Sequence, residues 1–364
     1  LINWRNKLAY FLKSGTRYRV SSKEEMDLHE SLPAGNYVVK IDPFENFYLE
    51  AIDNFDISGK LYGDTLKNTD RILSTFHARS ASTGVMLNGE KGSGKTLLAK
   101  NIAFEAAKQG IPTLIINTPF CGDKFNAFMQ SIDQPLVILF DEFEKVYGED
   151  QQEAMLTLLD GVFPSKKLFL ITCNDKWRVN AHMRNRPGRI FYMLEFKGLS
   201  GEFIREYCED NLNDKSHIDR LVQIAGTFDQ FNFDMLKATI EEMNRYNEPP
   251  HEAMRILNAK PEFGAGASRF TVKLQMKGQK EVEAEGEEHD TTEWRGNPLN
   301  GQVRVNYKTV DEEGCEDWDE IRFNPNDLKK IEGDGTRYIF TNDRGDKVTL
   351  VKVQEKEYNY WGAF

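Results

Sequence analysis

A chain of 364 residues is too long for one ordinary core and suits two or three domains at roughly 100–200 residues each. Its 40% hydrophobic and 29% charged residues are a globular balance, and no apolar run approaches the roughly 18 residues of a helical membrane span. A net charge of −11 argues against coating a nucleic-acid backbone by global electrostatics, while leaving room for a local basic patch.

The opening LINWRNKLAYFL has no long apolar stretch ending in a small-residue cleavage site, so it does not read as a secretory signal. Cys121, Cys173, Cys208 and Cys315 are scattered, without CxxC pairs or a His at metal-ligand spacing. Neither a disulfide framework nor a zinc site is indicated, and a reducing cytoplasm is the expected compartment. Residues 1–53 read as a mixed α/β lead-in, in which WRNKLAYFLKS is an amphipathic helix candidate and GNYVVKI a short strand.

From 54 to 198 strand-like and helix-like segments alternate, which predicts an α/β layer with a mostly parallel sheet. GVMLNGEKGSGKTLLAKNIAFEAAKQG begins as an apolar strand, passes through the octapeptide Gly89 to Thr96 and continues as an amphipathic helix. That order is what a phosphate-binding loop needs, and a Gly-rich turn matching by accident would lack it. Gly89 and Gly94 let the backbone curl so that N–H groups point at phosphates, and the helix N-terminus adds partial positive charge. The expected nucleotide-binding set is Gly89, Glu90, Lys91, Gly92, Ser93, Gly94, Lys95, Thr96 and Leu97. Within it Lys95 reaches the β- and γ-phosphates of ATP, and the Thr96 hydroxyl binds Mg²⁺.

PLVILFDEFEKV is a continuous apolar strand ending in two carboxylates, which a buried strand delivers to the ligand-binding edge of the sheet. Asp141 is read as holding Mg²⁺ through water, and Glu142 as orienting and deprotonating the attacking water. KLFLITCN ends at Asn174, a neutral amide suited to hold that water, or else a simple strand-end turn. Residues 199–260 read as a small helical bundle with apolar residues at three- and four-residue spacing. After the Gly- and Ala-rich AKPEFGAGASR, residues 265–364 read as a C-terminal all-β domain of short alternating strands. The acidic stretch from Glu281 to Glu293 reads as a hairpin tip or loop.

Over roughly Asn54 to Asn258 these motifs resemble the AAA+ superfamily, and within it the AAA subgroup. The implied fold is an α/β P-loop core with a small all-helical lid, followed here by the separate β domain. NFDISG resembles the adenine-proximal segment, implying nucleotide contacts from Asp56, Ile57 and Gly59. GVMLNGEKGSGKT resembles Walker A, LVILFDE Walker B, FLITCN the sensor-1 strand, and MLTLLDGVF an inter-subunit signalling segment. AHMRNRPGRI resembles the region that supplies arginine fingers, implying that Arg186 and Arg189 reach a neighbouring subunit's γ-phosphate. The stretch LDGVFPSKKLFLITCND followed by MRNRPGRI is similar to the Bcs-type branch of protein translocases; a β domain and no membrane anchor suggest a stand-alone bacterial or phage member. PFCGDKF falls where polypeptide-threading members carry a pore loop, implying Phe120, Cys121 and Gly122 as pore residues, with packing of Phe120 beneath the loop as the alternative. TFDQFNFDMLKAT carries no sensor-2 arginine, as in the AAA subgroup.

The resemblance implies a Mg²⁺-dependent ATPase in a homo-oligomeric, hexameric ring that remodels a protein partner through a central pore. Two alternatives stay open. In a nucleic-acid-directed motor or loader, Trp294, Tyr307, Tyr338 and Tyr360 of the β domain could stack bases, although strand aromatics are commonly core and the acidic flanks disfavour DNA. In an ATP-switched assembly scaffold the β domain would serve for docking.

Overall fold

The computed structural model describes residues 10–14, 16–21, 29–57, 59–161, 163–196, 198–228, 231–257, 269–278, 281–282, 284–285, 293–299, 301–310 and 316–353. The chain divides into two compact units, one of residues 1–60, 64–89 and 95–195, the other of residues 61–63, 90–94 and 196–364.

The first unit opens with a hairpin of β1 (Tyr10–Ser14) and β2 (Arg17–Ser21), paired antiparallel with Ser14 opposite Arg17. This corrects the helix expected over WRNKLAYFLKS, whose residues 4–9 lie outside the described residues. The Tyr-Phe-Leu run and the Ser-Gly-Thr turn signal after it favour a strand and a tight reversal over helical spacing. Next come β3 (Asn36–Ile41) and β4 (Phe47–Ile52), then α1 (Thr65–Ala78), β5 (Thr83–Gly89), α2 (Lys95–Lys108), β6 (Thr113–Ile116) and α3 (Asp123–Ser131). They are followed by β7 (Leu136–Phe140), α4 (Phe143–Val146), α5 (Glu149–Leu159), β8 (Lys167–Cys173), α6 (Ala181–Arg184) and β9 (Tyr192–Phe196).

One sheet, ordered β4-β3-β6-β7-β8-β5-β9, organises this unit. β3, β6, β7, β8 and β5 pair in parallel, and β4 turns back antiparallel along β3. The segment read as a lead-in therefore supplies edge strands of the core sheet. Every residue of β7 and β8 is buried, which is why neither strand alternates: β7 is wholly apolar, and β8 is apolar between Lys167 and Thr172. The parallel order sends the C-terminal ends of β7, β8 and β5 to one sheet edge, where Asp141, Asn174 and Gly89 follow one another in that order.

The second unit holds α7 (Gly201–Asn211), α8 (Ile218–Ala225), α9 (Phe233–Tyr246) and α10 (Pro250–Ile256). Ile204, Leu221, Leu236, Ile240 and Ala253 form their shared core. Ser200 caps α7 by accepting from the Phe203 N–H at 3.1 Å, and Asn232 caps α9 by accepting from the Met235 N–H at 2.9 Å. The β region follows as β10 (Arg269–Gln275), β11 (Glu281–Val282), β12 (Ala284–Glu285), β13 (Glu293–Arg295), β14 (Val303–Val310), β15 (Glu316–Phe323), β16 (Leu328–Glu332), β17 (Arg337–Thr341) and β18 (Lys347–Lys352). One antiparallel sheet runs β11-β10-β18-β17-β16 with β13 also on β10, and a second runs β12-β14-β15. β10 alternates strictly, burying Phe270, Val272 and Leu274 against Val303, Phe323, Phe340 and Leu350.

A candidate nucleotide site at one sheet edge

β5 delivers the chain to Gly89, and α2 begins at Lys95, so the Gly-rich loop lies between a buried strand and a helix N-terminus. Gly92 and Gly94 take φ of +78° and +98°, a region that side chains with a Cβ enter only under strain. Lys95 is buried, and its Nζ donates to the Gly89 carbonyl at 2.6 Å and to Asn174 Oδ1 at 3.1 Å. Burial pulls the Lys95 pKa down, and the surrounding acids, Glu144, Asp141 and Glu142 among them, push it back up. The Ser93 hydroxyl is buried without a hydrogen-bond partner, a donor that a phosphate oxygen would satisfy.

Asp141 and Glu142 follow β7 directly. Asp141 Oδ1 accepts from the Thr172 hydroxyl at 2.6 Å, and Thr172 Oγ1 accepts from the Glu142 N–H at 2.9 Å. Glu142 itself is left-handed at φ +49°, a conformation that costs energy for a side-chain-bearing residue and turns its carboxylate out of the strand direction. There it pairs with Lys145 on the surface. Such an exposed pair is screened by solvent and holds the carboxylate only weakly. Thr96, in the first turn of α2, and Asp141 are hard oxygen donors of the kind that hold Mg²⁺ through one or two protein contacts plus phosphate oxygens and waters.

Asn174 is fixed from two sides. Besides the bond from Lys95, its backbone N–H and its Nδ2 both donate to Glu144 Oε1, each at 3.0 Å. The sequence reading passed over Glu144 and Thr172. Glu144 had a legible signal, a carboxylate one turn past the strand-end pair in DEFE, whereas a Thr inside an apolar strand had none. Cys173, beside this cluster, is held protonated, with burial raising its pKa to about 12.

The two arginines diverge. Arg189 is buried, with Nε donating to Asp160 Oδ1 at 2.8 Å, Nη1 to the His182 carbonyl at 2.7 Å, and Nη2 to Asp160 Oδ2. This pairing, above the other contributions, holds the Asp160 carboxyl below the usual range. The Arg186 side chain is 64% exposed, with Nη1 3.4 Å from Asp160 Oδ2. The Arg189 carbonyl lies 1.9 Å from where a Cβ on Gly84 would sit, so only glycine at this point of β5 lets the arginine segment lie against the sheet.

Asp56 and Gly59 are exposed and Ile57 half-buried, in the stretch after β4 that Phe55 ties to the phosphate-loop helix, its ring centroid 5.5 Å from Lys100 Nζ. Leu97 is 38% exposed on α2. In the second unit the loop residues Glu90, Lys91 and Ser93 line a small cleft with Gly198, Leu199, Phe231 and Asn232. The Phe233 N–H at the start of α9 donates to the Gly92 carbonyl at 3.1 Å. Phe120 is half-buried, edge-on to Phe47 at 5.2 Å and tilted to Phe125 at 5.9 Å, the packing that the sequence left as its alternative to a pore role. Cys121 is half-buried, and Gly122, at φ +86°, precedes α3 with open space around it.

A phosphate loop at a helix N-terminus, with an acid pair and an amide at neighbouring strand ends, defines a P-loop nucleotide site. Residues 85–197 match the family described as "ATPase family associated with various cellular activities (AAA)". Among solved structures it is similar to the RuvB Holliday junction branch migration motor of Thermotoga maritima, at 15% identity and a TM-score of 0.40 over 55% of this chain and 72% of that one. A point mutant of the same motor gives 14% identity and a TM-score of 0.40 over the same shares. Likeness this loose carries no argument about function. No curated protein matches the chain.

Proposed function

We propose that this chain is a Mg²⁺-dependent ATPase whose subunits assemble into a ring, six by the pattern of the family it matches, and that its cycle remodels a protein partner in the cytoplasm. The observation that carries the ATPase reading is the convergence of Lys95, Asp141 and Asn174 on one sheet edge, linked through Glu144 and Thr172. Thr96 and Asp141 would hold the metal, whose charge neutralises the phosphates. Lys95 exchanges its bonds to Gly89 and Asn174 for the β- and γ-phosphates, Asn174 Oδ1 accepts from the attacking water, and Glu142 leaves Lys145 to take its proton. The exposure of Arg186 beside Asp160 supports reading it as the group that acts on a neighbouring subunit's γ-phosphate.

The protein-partner reading rests on family habit and on the position of the Phe120 loop. Trp294 and Tyr338 are buried core residues of the β region, which weighs against their stacking on bases; Tyr307 is half-buried and donates its hydroxyl to Asp319 at 3.0 Å, and Tyr360 lies outside the described residues. Among the described residues no helix is long and apolar enough to cross a membrane. The test is capture with Glu142→Gln, which should bind ATP without turnover. A specific protein retained in an ATP-dependent way supports remodelling, whereas nuclease-sensitive, salt-dependent cargo replaces it with a nucleic-acid motor.

A further inference from the structure

We propose that Glu144 is a positioning residue for hydrolysis, locking the Asn174 amide with its oxygen toward the phosphate site. This rests on the ATPase reading above. Glu144 stands one turn past the end of β7 in α4 and is 6% exposed. Its Oε1 receives both the backbone N–H and the Nδ2 of Asn174 at 3.0 Å, while Asn174 Oδ1 receives Lys95 Nζ at 3.1 Å.

The amide thus lies between an anion and a cation, and its orientation follows from their charges. Flipped, it would set Oδ1 against the Glu144 carboxylate and Nδ2 against the Lys95 ammonium. Two charge-assisted hydrogen bonds, each roughly twice as strong as a neutral one, would become two repulsive contacts. The backbone N–H bond fixes the carboxylate to the strand end, so the lock does not depend on the amide it orients. When the Lys95 ammonium turns to the phosphates, the grip of Glu144 remains and Oδ1 is left facing the site as an acceptor for the attacking water.

Glu144 Oε2 is buried and has no hydrogen-bond partner. A buried charge with one oxygen unsatisfied is a costly way to brace a loop, which a neutral side chain would do more cheaply. A carboxylate does one thing here that a neutral side chain does less well, which is to hold the donor pair of Asn174 in a single orientation. The DEFE spacing places it where it can reach Asn174.

The experiment compares steady-state ATPase kinetics of the full chain with those of N174A, E144A, E144Q and the N174A/E144A double variant. Loss of one positioned polar contact to the reacting atoms lowers kcat on the order of 10²-fold. E144A should lose kcat by the same factor as N174A with KM for ATP within about twofold, and the double variant should be no slower than N174A. E144Q, which keeps the reach of the side chain but not its charge, should recover only part of the rate. An E144A kcat equal to wild type, or a double variant slowed by the product of the two single losses, overturns the proposal.

A second readout needs no turnover. In amide spectra of the nucleotide-free chain, the Asn174 side-chain NH₂ pair, assigned by its disappearance in N174A, should be protected from exchange in wild type and lose that protection in E144A. An unchanged pair overturns the lock. If wild type hydrolyses no ATP, the ATPase reading falls, and this second readout alone decides whether Glu144 holds the amide.

Discussion

Three donor groups of Arg189 close on Asp160 and the His182 carbonyl, while Arg186, three residues earlier, keeps most of its side chain in solvent. The RPGR stretch alone shows two equivalent arginines; burial separates them. Arg186→Ala should therefore leave stability unchanged, within about 0.5 kcal/mol. It should also lower ATPase activity about 10³-fold or more, as loss of an arginine finger does. Arg189→Ala removes a buried side chain with its bonds to the exposed Asp160 and to the His182 carbonyl, and should cost about 1–3 kcal/mol in urea unfolding. Equal stability losses in the two variants would put both arginines in structural roles. Lys167 is a second buried cation, fully enclosed, with Nζ donating to the carbonyls of Ile132 and Gln134 at 2.7 Å and to Ser165 Oγ at 2.9 Å. Burial pushes its pKa down to about 8. Its folded value lies below the unfolded one of about 10.4, so the unfolded chain binds more protons in that window and stability should rise as pH climbs through it. Lys167→Met should abolish that rise and, by orphaning two carbonyls, cost about 2–4 kcal/mol at neutral pH. A pH slope that survives the substitution would mean that another group titrates.

At the scale of elements, two glycines matter for what approaches them. Gly84 admits the Arg189 backbone to β5, and Gly226, just past α8, admits the turn between β16 and β17. A Cβ on Gly226 would sit 1.8 Å from the Asp334 carbonyl oxygen, and one on Gly335 2.6 Å from the Gln223 carbonyl oxygen. Arg205 of α7 pairs there with Asp219 and Asp334. The helical lid and the β region thus meet backbone to backbone, within one unit. Gly226→Ala should break this contact, with faster amide exchange in β16, β17 and α8 and a stability loss of about 1–3 kcal/mol or more. Unaltered exchange in β16 and β17 would show that the turn is held by other contacts. None of this was legible in the sequence, where nothing marks Gly226 as a point of close approach. What was legible were β7 and β8, because strands buried on both faces must be continuous apolar runs. The N-terminal Tyr10–Ser14 strand was misread because a short apolar run fits helical and strand periods equally, and its cross-strand partner decided between them.

For the whole molecule, the proposed action of Arg186 between subunits would make activity a property of assembly. Specific ATPase activity should rise with protein concentration and level off once the oligomer is fully populated, as followed by turnover and light scattering on the same samples. A rate per subunit that stays flat while the oligomer dissociates would place all catalytic groups within one chain. The linear order of residues determined the phosphate loop, the acid pair, the amide strand and the arginine segment, because each is a local pattern whose chemistry depends on near neighbours in the chain. Tertiary structure alone decided that Glu144 orients Asn174, that Thr172 holds Asp141, that Arg189 turns inward to Asp160, and that Phe120 rests on Phe47 and Phe125. Each of these is a contact between residues on different elements, and hydrogen bonds and burial between distant residues exist only once the sheet has set its strands in order.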